Sequence, residues 1–245
     1  MSNALVTAID SMQNDLRQME TLSQNMVNVA TPGYRRALPP APAFERALAA
    51  AQPQVATSAQ SAVAARSAAT AVDLTHGAVK PTGRAWDLAI DGDGYFELAT
   101  PDGLAYTRAG DFALDARGRL VSQAGYPVQG TQGDIVLDGP TASVGRDGRI
   151  TQDGREVAQI RIVRFAAPNA LQRSASGALQ PAPSAVAEVD PRAQLLTGQL
   201  EASNVAPMRE MVAMLQTTRH FESAQKLYQG YDDMLGSAIQ KLGQF

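Results

Sequence analysis

The chain has 245 residues, 44% of them apolar, which suffices for one large or two modest domains with a proper core and excludes a chain disordered throughout. A formal net charge of -3, with 21 Lys and Arg residues scattered instead of clustered, excludes the basic face that a nucleic-acid binder needs. With no cysteine there is neither a disulfide framework nor a thiolate metal site, and the redox compartment stays open.

The first segment reads as a helix over residues 3 to 29. Leu5, Ile9, Met12, Leu16 and Met19 are spaced by four, three, four and three residues, the repeat that makes one apolar seam for coiling, and Leu22, Met26 and Val29 continue it with a small angular displacement. Ser2 and Asn3 are cap candidates, and Pro32 followed by Gly33 ends the helix. The N-terminus lacks the basic region, apolar core and cleavage site of a secretory signal, so export with cleavage by the general secretory route is not expected.

Residues 37 to 83 follow as a connector, rich in Ala, Pro and Ser over 37 to 72, with a short helical piece allowed at Phe44 to Ala51. From Arg84 to Phe165 the texture changes to short runs punctuated by Asp-Gly and Gly-Asp pairs, the mark of an all-β body of short strands. Strands are expected around Trp86 to Ile90, Tyr95 to Leu98, Leu104 to Thr107, Phe112 to Leu114, Arg119 to Ser122, Ile135 to Leu137, Arg149 to Thr151 and Val157 to Phe165. Residues 166 to 198 show no sustained pattern and contain Pro168, Pro181, Pro183 and Pro191, reading as a return connector.

A last helix starts near Asn204 or Ala206 and runs to about Leu242. Met214, Phe221, Tyr228, Leu235 and Leu242 recur every seven residues along it, flanked by Met208, Met211 and Leu215, while Thr218, Gln225 and Asp232 take the companion heptad place. All eight methionines lie in the two terminal segments, and their unbranched thioethers suit surfaces that must pack against non-identical neighbours. The expected fold class is therefore α+β, with long N- and C-terminal coiled-coil helices packed together and a central all-β domain. The expected division is 1–36 and 199–245 for the helical core domain, 37–83 for the connector and 84–198 for the β domain with its return connector.

Signatures of chemistry are missing. Two histidines, His76 and His220, cannot make a three-ligand zinc site, and no nucleophile elbow, Walker loop or dinucleotide fingerprint occurs. Asp91-Gly92-Asp93-Gly94 resembles the start of a calcium loop, but Tyr95, Phe96 and Asp102 stand where an oxygen ligand, glycine and glutamate are required. No catalytic residue, metal or cofactor is expected, and no small-molecule substrate.

Three separated stretches carry a resemblance. NMVNVATPGY, which holds Asn25, Asn28, Thr31, Gly33 and Tyr34, lies at the end of the first helix; LEASNV, which holds Leu200, Glu201, Ser203, Asn204 and Val205, leads into the last. Between them stand RAWDLAIDGDGYFEL and YTRAGDFALDARGRLVSQAGYPVQG. Together, in this order, they resemble the flagellar basal-body rod and hook family over most of the chain; Val27 and Ala30 depart from its usual residues. Within the family, DGRITQDGREVAQIRIVRF and TTRHFE are most similar to the proximal-rod type, with the distal-rod type next. The resemblance implies a non-enzymatic subunit exported through the flagellar type III apparatus, assembling with its own copies and other rod proteins in the periplasm. Asn25, Asn28, Ser203 and Asn204 would then cap or pin backbone at the helix ends. A hook-type axial subunit is an alternative within the family, and a secreted enzyme or carbohydrate-binding module with oligomerising helices is the alternative from another class.

Overall fold

The computed structural model describes residues 2–39, 71–138, 142–166, 171–173, 178–181, 185–190 and 192–242. The helical piece expected at Phe44 to Ala51 lies outside them. The fold is α+β, and the chain divides into two compact units: one of residues 1–27, 37–68 and 206–245, the other of residues 28–36 and 69–205.

In the first unit α1 (Ser2–Val27) packs against α2 (Pro207–Leu242). Pro207 opens α2, where its missing N–H costs nothing. The apolar seam read from the heptads is only partly the face that these helices turn to each other. Met12, Met19, Met26, Met214 and Phe221 are half-buried, but Ile9, Leu16, Met208, Met211, Leu215 and Tyr228 are exposed. Buried instead are Asn14, Asp15, Leu22 and Asn25 from α1 and Glu210, Thr217 and Ala224 from α2. The buried companion row of α2 thus sits one residue before the expected Thr218 and Gln225, because Glu210, Thr217 and Ala224 pair with Met214 and Phe221 at a spacing of three or four. Polar members are partnered: the Asp15 carboxylate pairs with His220 Nδ1 at 2.7 Å, and Thr217 Oγ1 donates to the Ala213 carbonyl at 3.0 Å. The side chains of Leu5, Leu235 and Leu242 lie outside the description.

The second unit is built on an antiparallel six-stranded sheet in the order Leu171–Arg173, Leu179–Pro181, Gly103–Thr107, Tyr95–Thr100, Ile162–Phe165 and Ala187–Val189. Alternate side chains leave a strand on opposite faces. Phe96, Leu98 and Ile162 accordingly join one core with Leu88, Phe112, Leu120, Ile135, Ile150 and Leu195, whereas Tyr95, Tyr106, Val163 and Phe165 join a second with Leu171 and Leu179. Burial on both faces explains why Tyr95 to Leu98 are all buried. Edge-to-face pairs fix both cores, Phe96 on Phe112 with centroids 5.0 Å apart and Tyr106 on Phe165 at 4.8 Å. Asp153 and Gly154 both have positive φ between Gln152 and Arg155, the type I′ hairpin that an Asp-Gly pair favours.

Several elements depart from expectation. Residues 166 to 198, expected as a connector, contribute Leu171–Arg173, Leu179–Pro181, Ala187–Val189 and Gln194–Thr197. Each has three or four residues, too few for alternation to register. The run Val157 to Phe165 splits into Arg155–Gln159 and Ile162–Phe165, and Ile135 to Leu137 forms one bridge at Val136 while its flanking side chains fill the core. The strand expected around Trp86 to Ile90 is Leu88–Asp91, paired with Gln194–Thr197, and its Leu88, Ala89 and Ile90 are all buried.

Candidate functional site

Residues of the two terminal signatures meet inside the second unit. Past α1 the chain turns at Asn28, whose carbonyl accepts from Thr31 N at 3.1 Å and whose Oδ1 accepts from Thr31 Oγ1. Gly33 then donates its N–H to the carbonyl of Glu201 at 2.7 Å, with φ +64. A Cβ there would lie 2.2 Å from Ala109 N, so only glycine gives both the left-handed conformation and the close approach. Tyr34 is buried, and its carbonyl accepts from Asn204 N.

Asn204 ties three segments with one amide. Its Oδ1 accepts from Arg36 N at 2.6 Å while its Nδ2 donates to the carbonyls of Asp73 and Thr75 at 3.0 and 2.9 Å. Ser203 Oγ accepts from Val205 N at 3.2 Å, a local bond that turns the backbone just before α2. Leu200 belongs to the short ladder between Gln199–Glu201 and Val79–Pro81. Asn25 lies in the first unit, where its amide bonds both the N–H and the carbonyl of Ala37 at 2.8 Å and donates to Glu210 at 3.2 Å.

At the centre is a buried ion cluster. Glu201 Oε1 accepts from Arg35 Nη2 at 2.8 Å and from Gly77 N at 2.9 Å, and its Oε2 lies 3.4 Å from Arg108 Nη1. Arg35 also donates to the Thr75 carbonyl, and Arg108 to the carbonyls of Ile90 and Gly92. Both guanidiniums reach His76 Nδ1, at 3.2 and 3.1 Å. That nitrogen must therefore be the acceptor, which leaves Nε2–H to donate to Asp93 at 3.2 Å. The Arg108 guanidinium stands 5.6 Å from the Tyr95 ring centroid. Burial pushes the Arg108 pKa down, against the pull of Glu201, and burial pushes the Tyr95 phenol up.

Glu201 belongs to the LEASNV stretch, whereas Arg35, Arg108 and His76 are not expected in this role from the sequence. Arg35 directly follows Tyr34 and Arg108 lies in YTRAGDF, so the available signal is an arginine beside each motif. Such a cluster orients and locks; no nucleophile, base and cleft are combined in it. A carboxylate pair does exist elsewhere: Asp87 and Asp111 oppose each other at an antiparallel bridge, with Asp87 buried. Neither lines the cavities of about 440 and 240 Å³ beside Arg164. Among the described residues no group of three His, Asp or Glu side chains could hold a metal ion.

With this geometry in view, the similarities to other proteins decide the family. Residues 89–155 match the flagellar hook protein FlgE/F/G D1 domain, and residues 196–241 match the flagellar basal body rod FlgEFG protein C-terminal domain. The chain is 32% identical to the flagellar basal-body rod protein FlgG of Bacillus subtilis over 269 residues, covering 98% of each. The chain belongs to the flagellar basal-body rod protein family. It is also 31% identical to FlgF of Rhizobium meliloti over 247 residues and 30% identical to FlgF of Salmonella typhimurium over 258, with 99% of each chain covered. These FlgF and FlgG relatives are rod proteins by name, so the family is one of structural subunits and not of enzymes. The family-model boundaries include Glu201, Asn204 and all of α2 to residue 241, while Arg108 lies in the first match.

Proposed function

We propose that this flagellar rod protein is a subunit of the proximal rod, joining its own copies and other rod proteins in a helical tube that carries torque from motor to hook. The observation that carries the reading is the placement of apolar side chains on the helical unit. Met208, Met211, Val212 and Leu215 form an exposed stripe at spacings of three and four on α2, and Ile9 and Leu16 are exposed seven apart on α1. A helix pair that buries Asn14, Asp15 and Glu210 internally while leaving these outside has, among its described residues, an apolar stripe still to bury. Contacts between this stripe and a different surface of the next subunit do not close on themselves and so propagate helically.

The coiled-coil arrangement belongs to this proposal, as does the role of Leu5, Met12, Met19, Met26, Met214, Phe221, Tyr228, Leu235 and Leu242 in subunit contacts. So does the division into helical core, connector and β domain, in which the helices stack and the β domain makes the lateral contacts. Passage through the flagellar type III apparatus completes the proposal and fits a location in the periplasmic span of the basal body. Among the described residues no helix is long and apolar enough to cross a membrane. Support for the proximal type comes from the stretches DGRITQDGREVAQIRIVRF and TTRHFE; the alignments with the Rhizobium and Salmonella FlgF run over 247 and 258 residues and that with the Bacillus FlgG over 269.

Leu215→Asp and Met211→Asp test the stripe in cells lacking the wild-type copy. Each variant should keep the folded β unit, measured on the purified protein by amide spectra, yet fail to enter basal bodies and leave cells non-motile. Normal swimming by either would remove the stripe from the interface. A gold label on the subunit in purified basal bodies should fall in the inner half of the rod, and an outer-half position would reassign it to the distal type.

A further inference from the structure

Beside the ion cluster is a cavity of about 240 Å³ whose lining includes His76, Asp93, Tyr95, Arg108, Arg164 and Phe165. Arg108 is almost wholly buried, and its Nε has no hydrogen-bond partner. Arg164 is half-exposed and sits 3.8 Å from Asp93 Oδ2, a loose pairing that leaves most of its five donors available. The Tyr95 and Phe165 rings, with centroids 5.9 Å apart, supply an apolar wall. Two guanidiniums thus face this space against one lining carboxylate, Asp93, already shared between His76 and Arg164; behind Arg108 the Glu201 carboxylate is divided between Arg35 and Arg108, so that buried trio keeps one positive charge. The cavity adjoins a larger one of about 440 Å³ through Arg164, Phe165 and Ala166.

We propose that this cavity binds a carboxylate, drawn in by the field of Arg108, held at the mouth by Arg164, with its carbon chain against Tyr95 and Phe165. A carboxylate matches the planar fork of Arg164, and the low-polarity wall strengthens the attraction. The group could be carried by a small free acid or by an acidic side chain of another copy of this chain; only the second source rests on the assembly reading. The site is confined to residues of the β unit, so its occupancy by a free acid is independent of polymerisation.

Sodium succinate titrated into the full-length protein at constant ionic strength, with sodium chloride as control, should give saturable shifts in the Gly94, Tyr95 and Ala166 amides and in the arginine Nε–H signals. Arg164→Gln should weaken succinate by about tenfold or more, the loss of one charge-assisted pair. Asp93→Asn should tighten it, since a competing carboxylate is removed from an exposed position. Opposite signs from two neighbouring surface variants are not expected of a purely structural defect. Shifts no different from chloride, or weakening by Asp93→Asn, would overturn the proposal. The source follows from sedimentation of the same samples: if succinate or Arg164→Gln reduces self-association, another copy supplies the carboxylate, and if binding leaves association unchanged, a free acid does.

Discussion

Glu201 is the residue on which the most depends, because its one carboxylate answers two buried guanidiniums and a backbone N–H. A buried pair of this sort adds little over an apolar replacement, but removing one partner strands the others. Glu201→Gln should therefore destabilise the β unit by about 3–5 kcal/mol, read from urea unfolding at neutral pH; a loss below about 1 kcal/mol would mean that Arg35 and Arg108 find other partners. Asp111 works in the reverse direction. The bonds Leu88 N to Gly110 O and Phe112 N to Trp86 O frame Asp87 and Asp111 as a non-hydrogen-bonded pair, the geometry that brings opposed side chains closest. Burial, with repulsion from Asp87, raises the Asp111 pKa. A carboxyl whose folded pKa lies above its unfolded one contributes stability below the unfolded value, near pH 4, and loses it as pH rises through the folded value. Asp111→Asn should consequently gain a few tenths to about 1 kcal/mol at pH 7 and flatten the stability curve on the acid side, as checked by urea midpoints across pH 4 to 7.

Asn25 shows how an element's end is held. It is fully buried on α1, and its amide closes two bonds with Ala37 and a third with Glu210 at the start of α2. Asn25→Ala would leave the Ala37 N–H and carbonyl buried without that partner, so thermal unfolding of the helical unit should show a loss of about 2–4 kcal/mol. Elements with strong periodicity are legible in the sequence: α1, expected at 3 to 29, spans Ser2–Val27, and α2, expected from near Asn204 or Ala206, begins at Pro207. Strands of three residues such as Leu171–Arg173 are not, since their placement comes from the ladder with Leu179–Pro181 and not from local pattern. The face of each helix is legible only in part, because apolar spacing marks a surface that wants burial without naming what buries it; Leu16 and Leu215 are apolar yet exposed, while Asn14 and Thr217 are polar yet buried. At the candidate site, Gly33 and Asn204 can be read as turn and cap residues, but the meeting of Arg35, Arg108, His76 and Glu201 joins positions up to 166 apart in the chain, which no local rule encodes.

For the whole molecule, the two units differ in how completely each satisfies itself. The β unit closes two apolar cores and a partnered ion cluster, so its amides should open only near global unfolding. The helical unit buries Leu22 and Ala224 among polar side chains and leaves Met208, Met211, Val212 and Leu215 outside, a smaller return for ordering 26 and 36 helical residues. Helices draw most of their stability from tertiary packing, so helices with so little of it are marginal in water. Hydrogen exchange on the dilute monomer should accordingly show the amides of α1 and α2 exchanging at least about a hundredfold faster than those of Phe96, Ile150 and Ile162. On the proposed assembly, in which neighbouring copies cover the stripe, the contrast should vanish in assembled rods. Equal protection of both units in the monomer would show that the helix pair is complete by itself, and the case for stacking through Met211 and Leu215 would then fail.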